Sequence, residues 1–316
     1  MNKSSEQKIH PIKKIQQGFK DLGYIASRQI ATTVYLATQL EKPILVEGPA
    51  GVGKTELAKA TATFLNTSLI RLQCYEGLDE SKALYEWKYG KQLLYTQLLK
   101  DKLDDIISNQ NGFKASLDKL HQYDDIFFSW HFLEQRPLLK ALHQKEGTVL
   151  LIDEIDKSDD EFEAFLLEIL SDYQVSIPEI GTVQAIKKPV VFLTSNNTRE
   201  LGEALKRRCL HLYIPFPPTD LEREIIHSRV PDLPEHLRNQ IVAFVQALRK
   251  LELKKLPSIS ETIDWARTLL LLHAEVLSDE FIRETLNIIL KFEEDISRVD
   301  ENLHQILPVA LRSAGA

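Results

Sequence analysis

Nine consecutive residues, Gly48, Pro49, Ala50, Gly51, Val52, Gly53, Lys54, Thr55 and Glu56, carry the clearest chemistry in the chain. Glycine at 48, 51 and 53 lets a backbone wrap round an anion with its N–H groups turned inward. Lys54 is then a cation for the β- and γ-phosphates of a nucleoside triphosphate, and the Thr55 hydroxyl is placed for Mg2+. The run follows a short apolar stretch (43 to 48) and opens a helical pattern at Lys54, so a helix start adds its positive dipole end to the cradle. With 12 glycines in 316 residues, a chance match in that context is rare.

A second constellation points the same way. In "TVLLIDEIDKSD" four apolar residues read as a buried strand, and Asp153 and Glu154 emerge at its C-terminal edge, where ligands of open α/β sheets collect. Asp153 reads as a holder of Mg2+ through its water shell. Glu154 reads as the group that orients and deprotonates an attacking water, because phosphoryl transfer needs a positioned nucleophile and compensated charge. Asp156 is a structural carboxylate nearby. At the end of "PVVFLTSNNT", Asn196 stands where a polar sensor of the γ-phosphate would sit. Asn197 is the alternative; an isolated asparagine can simply satisfy a turn, but the place after a strand that follows the Asp153–Glu154 strand favours the sensor.

These groups need a scaffold that brings strand ends together. A helix is expected from about Ser27, with Ile30, Val34 and Ala37 at helical spacing. Strands are expected at 43 to 48, 68 to 74, 148 to 153 and 189 to 195, separated by helices. That alternation implies right-handed crossovers and a parallel sheet covered on both faces. "SDDE" reads as a capping box from Ser158 to Glu161, followed by a helix whose Phe162, Phe165, Leu166 and Ile169 face the core. Residues 76 to 135 are a longer insertion than a connection needs.

The texture changes near "YIPFPPT" (213 to 219), after which nearly everything reads as helix. "TDLE" reads as a capping box from Thr219 to Glu222, and "SISE" as another from Ser258. Leu237, Ile241, Phe244 and Leu248 mark one helix, and Ile263, Ala266 and Leu270 a second; two more are expected between 278 and 314. The expected fold class is therefore α/β: a P-loop NTPase parallel-sheet core (1–218, with an N-terminal helix and insertions) followed by an all-helical lid (219–316).

Composition bounds the alternatives. A hydrophobic fraction of 43% and a charged fraction of 27% are those of a soluble globular protein. The net charge of −7 and pI near 5.8 speak against binding nucleic acid through its phosphates. Cys74 and Cys209 lie far apart without metal-type neighbours and read as buried thiols in a reducing compartment. The first residues show no apolar leader, and the aliphatic clusters are too short to span a bilayer. A cytoplasmic location is expected.

The chain resembles the AAA+ ATPases, within them the MoxR group, and there the carbon-monoxide-dehydrogenase accessory type. The resemblance is carried by "LVEGPAGVGKTELAKA", "RLQCYEGLDESKALYEWKYGKQLLY", "FLEQRPLLKAL", "VLLIDEIDKSDDEFEAFLLEILSDYQVSIPEIGT", "VVFLTSNNTRELGEALKRRCLHLYIPFP" and "PSISETIDWARTLL", which cover most of residues 40 to 272. It implies ATP as the nucleotide and a homo-oligomeric ring, most often a hexamer, with ATP between neighbouring subunits. Arg208 in "ALKRRC" falls at the family's arginine-finger position, with Arg207 as substitute. Residues 173 to 186 match a hairpin that can face the pore. For Tyr85, Trp87 and Tyr89, substrate contact competes with core packing. The chain departs from its relatives at Ser260, where many carry a lid arginine; Arg267, two turns on, is a candidate replacement. The activity implied is Mg2+-dependent ATP hydrolysis driving chaperone-like remodelling of a client protein, for instance in metalloenzyme maturation or cofactor insertion, with a von Willebrand factor A domain partner. Two other readings stand beside it: a nucleic-acid translocase, and a slow nucleotide-switched binding module.

Overall fold

The computed structural model describes residues 10–97 and 128–314. The central part of the expected insertion at 76 to 135, and the first nine residues of the N-terminal stretch read for a leader, lie outside the described residues.

Five parallel strands form one sheet: β1 (Ile44–Glu47), β2 (Ser68–Gln73), β5 (Thr148–Asp153), β8 (Val190–Ser195) and β9 (Leu210–Tyr213), in the spatial order β2-β5-β8-β1-β9. The uniformly apolar strands sit inside. β5 is buried along its whole length, whereas edge strand β2 is mostly half-buried or exposed, with only Leu72 buried. Two small antiparallel pairs stand apart from the sheet: β3 (Tyr85–Trp87) with β4 (Leu133–Gln135), and β6 (Gln174–Ile177) with β7 (Gly181–Gln184). The second pair is the hairpin expected around "PEIG".

Register decides what meets at the C-terminal edge. Glu47 pairs with Ser195, Ile152 with Leu193, and Gln73 with Asp153. The chain leaving β1, the acidic end of β5 and the polar end of β8 therefore come off the sheet at one level.

α1 (Pro11–Asp21) was not expected from the sequence. It buries Ile15 and Phe19, and the Phe19 ring meets Tyr24 and Phe64 edge-on. α2 (Arg28–Leu40) begins where expected, with the Ser27 side chain accepting from the N–H of Ile30. α3 (Lys54–Phe64), the one-turn α4 (Glu80–Ala83), α5 (Pro137–Leu142), α6 (Asp160–Asp172) and α7 (Glu203–Arg208) complete the α/β part. The cap of α6 differs from the expected box: Asp159, not Ser158, accepts from the N–H of Phe162, and the Ser158 hydroxyl donates to the carbonyl of Ile155.

Residues 219 to 314 are helical throughout: α8 (Thr219–Arg229), α9 (Glu235–Leu248), α10 (Ile259–Leu271), α11 (Asp279–Ile289) and α12 (Glu293–Ala314). They close round their own apolar cluster, with Phe244 and Trp265 fully buried at its centre. The Ser258–Glu261 capping box forms as expected. The Thr219–Glu222 box does not, because Thr219 is already inside α8, which has no side-chain cap. Glu222 turns inward instead, fully buried, and accepts from Arg249, Gln246 and Thr262. A buried carboxylate must be paired, so the guanidinium outcompetes the helix end. Among the described residues no helix is long and apolar enough to cross a membrane.

Candidate functional site

The loop from Gly48 to Gly53 is shaped by what surrounds it. Gly48 and Gly51 have φ of +147° and +72°; a Cβ at Gly48 would lie 2.1 Å from the carbonyl oxygen of Ile214, and one at Gly51 2.5 Å from the Ser258 hydroxyl. Only glycine fits either place. α3 then starts directly at Lys54, with Gly53 as its cap. Pro49 and Ala50 form the outer turn and Val52 is buried beneath it.

Lys54 is only 7% exposed. Its ammonium donates to the carbonyls of Gly48 (2.6 Å) and Pro49 (2.7 Å) and to Oδ1 of Asn196 (2.7 Å). Burial pulls its pKa below the ordinary lysine value, with Asp156, Asp153 and Glu154 opposing the shift. A buried cation whose direct partners are all neutral oxygens, at the start of a helix, suits an anion such as a phosphate chain. Beside it the Thr55 hydroxyl lies 3.1 and 3.3 Å from the two oxygens of Asp153. Hard oxygen donors of this kind suit Mg2+, which keeps several waters and takes one or two protein groups together with phosphate.

Asp153 is held from three directions. Its Oδ1 accepts from Thr194 at 2.5 Å, and its Oδ2 from the Nε (3.0 Å) and Nη2 (2.6 Å) of Arg71. Arg71 and Gln73 alternate along β2 and so share a face. Gln73 Nε2 donates to Glu154 Oε2 at 2.8 Å, and Lys157 pairs with the same oxygen at 2.6 Å. Glu154 adopts a left-handed backbone (φ +58°), its N–H bonded to the Thr194 hydroxyl at 2.9 Å. This bend turns the strand end so that Glu154 and Asp153 share one site.

Asn196 stands between the two halves: Oδ1 accepts from Lys54, and Nδ2 lies 3.5 Å from Glu154 Oε1. Asp156 holds it there, with Oδ2 accepting from the N–H of Asn196 (3.2 Å) and from the N–H and hydroxyl of Thr198 (3.0 and 2.6 Å). Burial works against ionisation of Asp156, but these hydrogen bonds outweigh it and hold its pKa below the ordinary value. Asn197 turns the other way, bonded to Ser195. Lys54, Thr55, Asp153, Glu154 and Asn196 thus come together, from residues up to 142 apart.

Other expected residues lie elsewhere. Arg207 and Arg208 are exposed at the end of α7, and Arg208 Nε donates to Ser171 at 2.8 Å, away from this chain's own cradle. Arg267 is exposed and faces Asp264 at 3.5 Å, whereas Ser260 lies against the loop, 3.4 Å from the carbonyl of Gly51. Trp87 is buried in the core with Tyr85 packed on it, while Tyr89 is 64% exposed.

The sequence reading passed over a cavity of about 350 Å3 beside the loop. Tyr24, Ile25, Ile259 and Ile263 give it apolar walls, and Glu56 and Arg229 line it as well. The signal was weak: "GYIAS" before α2 offers only a glycine turn, an aromatic and a cap. Arg71 and Gln73 were also missed, although their spacing of two on an edge strand places them on one face.

The sequence pattern of the family described as "ATPase family associated with various cellular activities (AAA)" matches residues 44–217. Similar curated proteins, each bearing the name "uncharacterized protein", include one of Staphylococcus epidermidis (27% identical over 220 residues, 67% of this chain and 70% of that protein). Others come from Staphylococcus haemolyticus (26% over 238 residues, 73% and 76%) and Staphylococcus aureus (27% over 238 residues, 73% and 76%). Among solved structures, the RuvB Holliday junction branch migration motor of Thermotoga maritima is similar at a TM-score of 0.44 and 15% identity, covering 95% of this chain and 82% of that one.

Proposed function

The chain belongs to the AAA family of ATPases, and on that footing we propose that it hydrolyses ATP within a ring of like subunits and uses the cycle to remodel a client protein. The observation that carries the reading is the meeting of Lys54, Asn196 and Glu154 at the ends of three adjacent strands. In that arrangement the Gly48–Thr55 loop binds the phosphates, and Lys54 exchanges its carbonyl partners for phosphate oxygens. Glu154 orients the attacking water and takes its proton. Asn196 spans the cation and the base, so it meets the group being transferred. Thr55 and Asp153 would hold Mg2+, which would supply charge compensation on the phosphates.

The exposed Arg208 supports the ring. A cation outside its own cradle is free to complete a neighbour's, where charge develops on the transferred phosphoryl group. Subunits that change state together as ATP is bound and spent pull a client between conformations if it binds those states unequally. The resemblance to MoxR-type proteins supports a chaperone-like role in metalloenzyme maturation or cofactor insertion, with a von Willebrand factor A domain partner.

One observation favours a slower, switch-like variant of the same machine. Glu154 Oε2 is already engaged by both Gln73 and Lys157, and a base held this way turns over slowly until released. The deciding experiment is ATP hydrolysis per subunit, with Mg2+, across a wide range of protein concentration. A steep rise with concentration is expected; a flat, measurable rate down to monomer would end the ring reading.

A further inference from the structure

Among the described residues two hydrogen bonds join the helical region to the nucleotide cradle. Ser260 meets the carbonyl of Gly51 at 3.4 Å. Arg229, the last residue of α8, sends Nη2 to Glu56 Oε2 at 3.3 Å. Glu56 is two residues past Lys54 on α3, and its other oxygen takes Lys59 at 2.7 Å. Glu56 and Arg229 both line the cavity beside the loop, the one carboxylate and the one cation among its lining residues.

The two ends of the site differ in chemistry. Lys54, Glu154 and Asn196 converge at the strand ends, where a terminal phosphate belongs. The cavity lies against Gly51 to Gly53 and Glu56, with Lys54, Glu154 and Asn196 outside its lining, and its walls of Tyr24, Ile25, Ile259 and Ile263 suit a flat apolar base. Arg229 is at this second end. A guanidinium offers five donors in a rigid fork, and the polar contact it makes here uses one of them. The side chain is 35% exposed and lines the cavity, so an acceptor entering there meets it. Arg267, by contrast, points away from the cavity toward Asp264.

Resting on the ATPase reading above, we propose that Arg229 is the helical region's contact to the nucleotide, and that it binds the nucleoside and α-phosphate part shared by ADP and ATP rather than the γ-phosphate. Glu56 holds the guanidinium in readiness and gives it up to the nucleotide. The consequence is regulatory. A lid tied through Arg229 closes on any bound nucleotide, stays closed through hydrolysis, and opens on ADP release. A lid arginine at position 260 would instead reward ATP over ADP. A ligand shifts a conformational equilibrium only by what it contacts differently in the two states, and this contact is the same for both nucleotides.

The test is equilibrium binding of ADP and of ATP to the full chain, in a Glu154→Gln background to stop turnover, with Lys54→Ala as the control for the cradle. Arg229→Ala is expected to weaken both nucleotides by the same factor, about ten- to a hundred-fold for a charged hydrogen bond, and Arg229→Lys by less. Glu56→Gln is expected to tighten both a few-fold, because it frees the guanidinium and removes a negative charge near the phosphates; a merely structural ion pair would give a loss instead. Loss of ATP affinity with ADP unchanged, no change in either, or weaker binding by Glu56→Gln would overturn the proposal. If the Glu154→Gln parent binds neither nucleotide, or Lys54→Ala binds like that parent, the ATPase reading beneath it fails as well.

Discussion

The Lys54 ammonium donates to Asn196 Oδ1 at 2.7 Å across 142 residues of chain, and the same asparagine reaches toward Glu154. Among the described residues Asn196 is therefore the one side chain that meets both Lys54 and Glu154, the proposed phosphate-binding cation and base. Lys54→Ala is expected to abolish tight nucleotide binding. Asn196→Ala should leave ADP affinity within a few-fold and cut turnover about a hundred-fold or more, the size of effect seen when one preorganised polar group is removed. Nucleotide titration and single-turnover hydrolysis on the same samples separate the two effects. Normal turnover in Asn196→Ala would remove it from the site.

Glu154 is held by Gln73 and Lys157. Glu154→Gln keeps the shape and loses the base, so it should bind ATP at least as well as the parent and hydrolyse it about a thousand-fold more slowly, the middle of the range for losing a positioned proton acceptor. Lys157→Ala should raise basal turnover several-fold if the ion pair restrains the base. A rate that falls instead means Lys157 orients Glu154 for attack, and the switch-like variant loses its support.

Much of this site was legible because its signals are local. The glycines around Lys54, the apolar run ending in Asp153 and Glu154, and the strand ending in Asn196 are each contiguous, and the parallel register that unites them follows from alternating strands and helices. What was missed depends on chain-distant partners. Nothing within "TDLE" indicates that Glu222 will be claimed by Arg249, 27 residues on, so a capping box was the natural reading. The polar face of β2 formed by Arg71 and Gln73 has no meaning until β5 lies beside it. α1 went unnoticed because its short apolar face, Ile15 and Phe19, finds its main partners in α2 and Phe64, further along the chain.

The Glu222–Arg249 pair, 0% and 6% exposed, should be worth more than its surface counterparts. Arg249→Met strands a buried carboxylate, and breaking such a pair from one side costs about 3–5 kcal/mol. Thr219→Ala, which would remove the expected cap, should cost less than about 0.5 kcal/mol because no cap bond forms there. Urea unfolding of both variants, followed by far-UV circular dichroism, makes the comparison. Equal losses would mean that Thr219 caps the helix in solution after all.

Burial pushes both thiols up to about 12, first by desolvation in each case, with Asp153, Asp156 and Glu154 adding to it at Cys74. The folded state therefore holds these protons more tightly than the unfolded chain, whose thiols ionise near the ordinary value of 9.0. The contribution is fully present below pH 9 and is lost between pH 9 and pH 12. Unfolding free energies at pH 8 and pH 10 should differ more for the parent than for Cys74→Ala/Cys209→Ala, by about 3 kcal/mol for the pair at most. Identical pH slopes would place the thiols in contact with water.

Arg208 is exposed and bonded to Ser171 rather than to any group of its own cradle, so on the ring proposal its effect on hydrolysis comes through another subunit. Arg208→Ala should bind ATP normally and lose turnover about a thousand-fold, at the low end for a trans-acting arginine, while Arg207→Ala should lose less. The decisive form of the experiment mixes two inactive proteins. Arg208→Ala keeps a complete cradle and Glu154 but offers no finger; Glu154→Gln offers the finger but cannot use one. In a mixed assembly the cradle of the first receives the arginine of the second, and hydrolysis returns, peaking near equal proportions. A cis arginine permits no such rescue, because each chain would then lack one essential group of its own. If the mixture stays as inactive as its parents while light scattering shows that they co-assemble, Arg208 does not act across the interface.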